Sequence, residues 1–209
     1  MHTSAEIRWF WPSTLPEGLF DWFCHPSPEA HAPGGGQCKT HCYLRDNTQA
    51  ELGMKYRPGK PEVEVKGLVE RTWARLNAEP FAGPVELWSK WTSQRLHLQE
   101  QPLIALEKRR WLRLFTTSAS TVVELALNAD EGLQNPCSVW PTRGCTIELT
   151  ELRLDGTLVG WTLGLEAFGT LAELPHQLHS LAQHLAAHHP PAFGDAIQGS
   201  YPVWLQQFA

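Results

Sequence analysis

The stretch ELGMKYRPGKPEVEVKGL, residues 51–68, decides how this chain is read. Two alternating segments, 53–57 and 62–66, flank Pro58-Gly59-Lys60-Pro61, and that punctuation marks a turn, so the unit reads as an antiparallel hairpin. Strand side chains point to alternate faces, which puts Lys55 with Arg57 on one face and Glu62, Glu64 and Lys66 together on one face. A sheet face alternating cations and carboxylates is no apolar core. It is either the lining of a site or a solvated cross-strand ladder of ion pairs, each worth little.

Working outward, the segments on either side repeat the pattern. Residues 6–11 alternate, with Glu6, Arg8 and Phe10 on one face and Ile7, Trp9 and Trp11 on the other. Residues 85–91 place Glu86, Trp88 and Lys90 on one face. Residues 103–115, LIALEKRRWLRLF, form a long strand candidate in which Lys108 and Arg110 share the face of Ile104 and Leu106. Strands are also expected at 39–44 and 121–127, and 145–154 with 159–168 form a second hairpin around Asp155-Gly156. Residues 69–76 read equally as helix or strand.

Helices are expected near each end. Thr14 and Glu17 have capping-box spacing before Leu15, Leu19, Phe20, Trp22 and Phe23. Thr170 and Glu173 have it before Leu171, Leu174, Leu178, Leu181 and Leu185, an apolar stripe suited to docking on a sheet. His184 and His188 lie one turn apart on this second helix, but no acidic partner accompanies them, so they read as part of a polar face. The segment around Ala32-Pro33-Gly34-Gly35-Gly36 reads as a mobile loop.

Composition bounds the function. The 209 residues, 42% apolar and 19% charged, suffice for one domain spanning 1–209, with its core at 6–187 and a tail, 188–209, packing loosely on it. A formal net charge of −5 argues against generic nucleic-acid binding, so any polyanion site must be local. No apolar run approaches the roughly 20 residues that span a bilayer, and MHTSAEIRWFW lacks a basic leader. A cytoplasmic protein with no membrane partner is expected. Of the five cysteines, Cys38-x3-Cys42 with His41 between, and Cys24 beside His25, lack the second close pair of a zinc finger and read as reduced thiols.

Polar residues on one strand face and apolar residues on the other imply an α+β fold, an antiparallel β-barrel with flanking helices and a polar interior. At this point the residues resemble a family. The order Glu6-x-Arg8, Leu52-Gly-Met-Lys-Tyr-Arg57, Glu64-x-Lys66, Glu107-Lys-Arg-Arg110, Ile147-Glu148-Leu-Thr-Glu151 and Leu165-Glu-Ala-Phe168 is similar to the CYTH superfamily, the triphosphate tunnel metalloenzymes.

That resemblance implies a tunnel of about eight strands, whose partner is a triphosphate-containing small molecule or polyphosphate, and a triphosphatase-like hydrolase that uses Mg²⁺ or Mn²⁺. A triphosphate needs Arg and Lys from several strands, and a metal needs hard oxygen ligands. Arg8, Lys55, Arg57, Lys66, Lys108 and Arg110 are the expected phosphate grips, with Lys66 and Arg57 the candidate catalytic residues. Glu6, Glu64, Glu148 and Glu166 are the expected metal ligands. Glu151 is an alternative to Glu148, because residues three apart cannot share a strand face.

The departures from the family pattern point elsewhere. The opening Glu-x-Glu-x-Lys signature has Arg8 at its second Glu and Phe10 at its Lys, and Gly164 stands where a late Glu-x-Glu pair would begin. Such replacements weaken a cation site and strengthen an anion site. The alternatives are a non-catalytic barrel that binds a polyanion or nucleotide, and a protein-interaction module whose internal ion pairs satisfy one another.

Overall fold

The computed structural model describes residues 2–27, 30–45, 50–117 and 121–208. In chain order the strands are β1 (His2–Trp11), β2 (Gly34–Leu44), β3 (Leu52–Tyr56), β4 (Val63–Leu76), β5 (Gly83–Ser93), β6 (Leu103–Thr117), β7 (Val122–Leu125), β8 (Gly144–Leu154), β9 (Thr157–Phe168) and β10 (Ile197–Gln198). The helices are α1 (Leu19–Cys24), α2 (Leu174–Ala186) and α3 (Tyr201–Leu205). Eight strands in the order β1-β5-β4-β3-β2-β6-β8-β9 close into an antiparallel barrel, because β9 returns to pair with β1 along Ser4–Trp11. β7 adds to β6, and β10 pairs Trp9 and Phe10 of β1.

Both expected hairpins form. The turn at Asp155-Gly156 puts both residues in the left-handed region, with φ of 49° and 75°, which matches the twist of β8 and β9. At the other turn the Lys60 amide donates to the Arg57 carbonyl at 3.0 Å. Residues 69–76 are strand, the far end of β4.

Alternation sorts each strand into an outer and an inner face. Ala5, Ile7, Trp9 and Trp11 of β1, Ile147 and Leu149 of β8, and Leu163 and Leu165 of β9 form the outer core with α2. That helix seats Leu174, Leu178, Leu181 and Leu185 against the barrel wall, each burial contributing about 1.5–3 kcal/mol. The inner face is polar along most of its length. At one end it turns apolar, where Phe10, Tyr43, Ile104, Leu106 and Leu152 surround Trp204 and Leu205 of α3.

Several expectations are corrected. The first helix starts at Leu19 behind Gly18, without a side-chain cap from Thr14. α2 begins at Leu174, so Leu171 is exposed ahead of it, although Glu173 does accept from the Thr170 amide as a capping box would. The glycines of 34–36 open strand β2, not a mobile loop: a Cβ at Gly35, where φ is 102°, would lie 2.4 Å from the Arg110 carbonyl oxygen, so glycine is what lets β2 approach β6 at a bulge. Residues 28 and 29 of the preceding loop lie outside the described residues. The C-terminal segment is no loose tail. Its aromatic rings fill one end of the barrel, Trp204 stacking on Phe10 at 5.2 Å.

Candidate functional site

The inner face encloses a cavity of about 560 Å³. Register explains its composition. Residues paired across antiparallel strands project to the same side, and the pairs Glu6↔Glu166, Lys66↔Lys90, Lys55↔Glu64 and Tyr43↔Lys55 run round the barrel on the inner side. Eight Lys or Arg side chains and four Glu line the cavity, and Glu131 beside it pairs with Arg110 and Lys39, which leaves a formal excess of three positive charges inside a chain of formal net charge −5.

All ten residues expected from the sequence line this cavity: Glu6, Arg8, Lys55, Arg57, Glu64, Lys66, Lys108, Arg110, Glu148 and Glu166. Of the hairpin charges, Lys55, Arg57, Glu64 and Lys66 are thus an interior lining and not an outer ladder, whereas Glu62 lies outside the cavity and accepts from Gln94 at 3.3 Å. Glu148 faces inward, whereas Glu151 lies on the other face of β8 and accepts from Arg153 at 2.5 Å. Lys39, His41, Tyr43, Lys90 and Tyr201 also line the cavity and were missed. Lys90 shares a face with Glu86 and Trp88 by simple alternation, a signal that could have found it. Tyr201 carries no such signal, because it comes from α3.

The carboxylates are all engaged. Glu6 pairs with Lys66 and, at 3.0 Å, with Lys90. Lys90 reaches Glu166 at 2.6 Å. Arg8 and Arg110 hold the two oxygens of Glu148 at 2.8 and 3.0 Å, and Lys55 meets Glu64 at 3.0 Å. Burial alone would push these carboxyls up. At Glu6 the charges of Lys66 and Lys90 outweigh it and hold the group far below the usual carboxylate range. At Glu148 Arg8, Arg110 and Lys108 do the same. At Lys90 burial opposes the charge, but Glu166 and Glu6 raise the ammonium above the ordinary lysine range.

The basic side is different. Lys108 is buried, yet its partners are aromatic: its Nζ donates to the Tyr43 hydroxyl at 2.5 Å and sits 3.3 Å from the centre of the Tyr201 ring. Burial and the charge of Lys55, with Arg8 and Arg110 adding to it, push its ammonium well below the usual range despite Glu148. His41 is likewise pushed down to about 2 by burial and then by Lys108, Lys55, Arg57 and Arg110, so the imidazole is neutral. Its Nδ1 is buried without a hydrogen-bond partner among the described residues. Arg57 stands at the mouth, 3.7 Å from Glu64 and about half exposed. On this flank Lys108 is a buried lysine with no ion pair among the described residues, whereas Arg110 beside it is held by both Glu131 and Glu148.

The residues do not fit a divalent metal. Each expected ligand, Glu6, Glu64, Glu148 and Glu166, already holds an ammonium or guanidinium. Among the described residues, no group of three or more His, Cys, Asp or Glu is arranged to hold a metal ion. A hard cation would enter a lining that is already cationic.

Fold and site together define a closed antiparallel barrel with a basic, partly uncompensated interior. No family model matches the chain, and no curated protein matches it. No helix among the described residues is long and apolar enough to cross a membrane.

Proposed function

We propose that this protein binds a compact polyanion of the triphosphate class inside its barrel. The observation that carries the reading is Lys108, a buried cation held by two tyrosines and surrounded by Lys55, Arg8 and Arg110. Gathering like charges in a low-dielectric interior is costly, and a ligand with several negative oxygens removes that cost. Arginine offers such a ligand paired donors, and lysine a compact charge. The cavity volume lies in the range of small-molecule sites. The likeness to the CYTH superfamily supports the same ligand class, and free cysteines suit a cytoplasmic setting.

Binding is proposed ahead of hydrolysis. A metal-dependent triphosphatase needs carboxylates free to ligate, and those of this lining are committed to Lys and Arg.

A thermal melt with tripolyphosphate, ATP or thiamine triphosphate tests the proposal. A ligand at about 100 times its Kd adds about 2.7 kcal/mol, which raises the midpoint of a chain this size by about 5–10 °C. Arg57→Ala and Lys108→Met should each reduce that shift. No shift with any of these ligands overturns the proposal, and phosphate release from the stabilising ligand would restore the hydrolase reading.

A further inference from the structure

Two of the lining cations occupy places that are built for them. Arg8 faces Gly164 across the β1–β9 pairing. A Cβ at Gly164 would lie 2.5 Å from Arg8 Cζ and 2.6 Å from one of its terminal nitrogens, so the guanidinium lies flat on a backbone position that any other residue would fill. From there Arg8 donates to Glu148 at 2.8 Å and to Thr162 Oγ1 at 3.3 Å, with its other flank 4.8 Å from the centre of the Tyr201 ring. The two sequence departures at positions 8 and 164 are therefore one coupled feature.

Lys90 is placed with similar economy. Glu6 and Glu166 are direct partners across β1 and β9, and two carboxylates so placed repel unless a cation lies between them. The Lys90 ammonium does so, 3.0 Å from one and 2.6 Å from the other, while Lys66 takes the second oxygen of Glu6. A bridging divalent ion would serve the same two carboxylates.

The geometry points to Arg8 and Lys90 as resident cations that stand in place of a divalent metal, so that the site takes its polyanion as the free, metal-free anion. This rests on the polyanion-binding reading and adds a consequence to it. Magnesium then competes with the protein for the ligand instead of assisting it, because a phosphate chain complexed to Mg²⁺ presents less negative charge to a lining that is net positive.

Isothermal titration calorimetry on the whole chain decides the matter in two series. In the first, tripolyphosphate is titrated in EDTA and then in excess Mg²⁺. The expected result is binding in EDTA and weaker binding in Mg²⁺; binding that requires Mg²⁺ overturns the inference while leaving the proposed function standing. Binding in neither buffer overturns the proposed function, and the second series then judges the resident cations alone.

In the second series Mn²⁺ without any phosphate is titrated into the wild type, Arg8→Glu and Gly164→Ala. The expected result is no Mn²⁺ binding by the wild type and a gain of it in Arg8→Glu, which adds a carboxylate beside Glu148. Mn²⁺ binding by the wild type that Glu6→Gln or Glu148→Gln abolishes sinks the inference. Gly164→Ala alters no charge and only unseats Arg8. It should weaken tripolyphosphate binding in EDTA about tenfold, the value of one charge-assisted hydrogen bond; unchanged affinity in that folded variant removes Arg8 from the role.

Discussion

Lys108 is buried against Tyr43 and Tyr201 with no ion pair among the described residues, so in the proposed site it costs the folded state what it would offer a polyanion. In the unfolded chain its ammonium titrates near 10.5, and in the barrel burial and Lys55 set it well lower. Between those two values the unfolded state binds more protons, so this residue makes stability rise with pH across that window, and its cost is fully present below the folded value. Lys108→Met should therefore raise the midpoint of an unliganded thermal melt at pH 7 by about 2–4 °C, equivalent to roughly 1 kcal/mol, while weakening tripolyphosphate binding. A fall in both quantities would show that Lys108 is structural. Glu6 and Glu148 have the opposite sign. Their folded values lie below the usual 4.5, so their contribution is complete above that pH and is lost as pH falls through the lower folded values. Glu148→Gln leaves Arg8 and Arg110 facing one another and should cost about 3 kcal/mol in a urea melt at pH 7, with a shallower loss of stability below about pH 4.5 than the wild type shows.

At the scale of elements, α3 is short but decisive. It places Trp204 on Phe10 and Tyr201 over Lys108, and so both closes the apolar end of the barrel and forms part of the cavity wall. Trp204→Ala should cost about 3–5 kcal/mol by leaving a void among Phe10, Leu106 and Leu152, read as a lower urea midpoint. Its effect on tripolyphosphate affinity should be small, because the ring lies outside the polar lining; a large loss of affinity at unchanged stability would place Trp204 in the site. α2 has a different task. It covers the outer wall with its leucine stripe, and its histidines stay at that outer surface, His184 turning its ring towards Phe115 at 6.0 Å.

For the whole molecule, closure is the costly step. The barrel shuts only when Arg8 of β1 pairs opposite Gly164 of β9, so nearly the whole chain must be gathered before that pair forms. Refolding from denaturant should accordingly fall in the millisecond-to-second range of domains with many non-local contacts, and microsecond refolding would contradict a closing pair of this span. Closure also explains the polar interior. A closed barrel has no free edge and holds its inner side chains at fixed mutual distances, so charges that would be solvated on an open sheet remain in contact.

Much of this was legible in the order of residues. Alternation is a local property, with period two, and it identified the hairpins at 51–68 and around Asp155-Gly156 and the inner faces carrying Glu6, Arg8, Lys55, Lys66, Lys108 and Arg110. The departures at Arg8 and Gly164 were equally visible as single letters. Tertiary structure alone decided which of these residues meet. Choosing Glu148 over Glu151, joining Arg8 to Gly164, setting Lys90 between Glu6 and Glu166, and bringing Tyr201 over Lys108 all depend on strand register and on a helix arriving from the far end of the chain. Neighbouring residues determine where a side chain points. What it touches is set by closure, which pairs segments that local patterning does not connect.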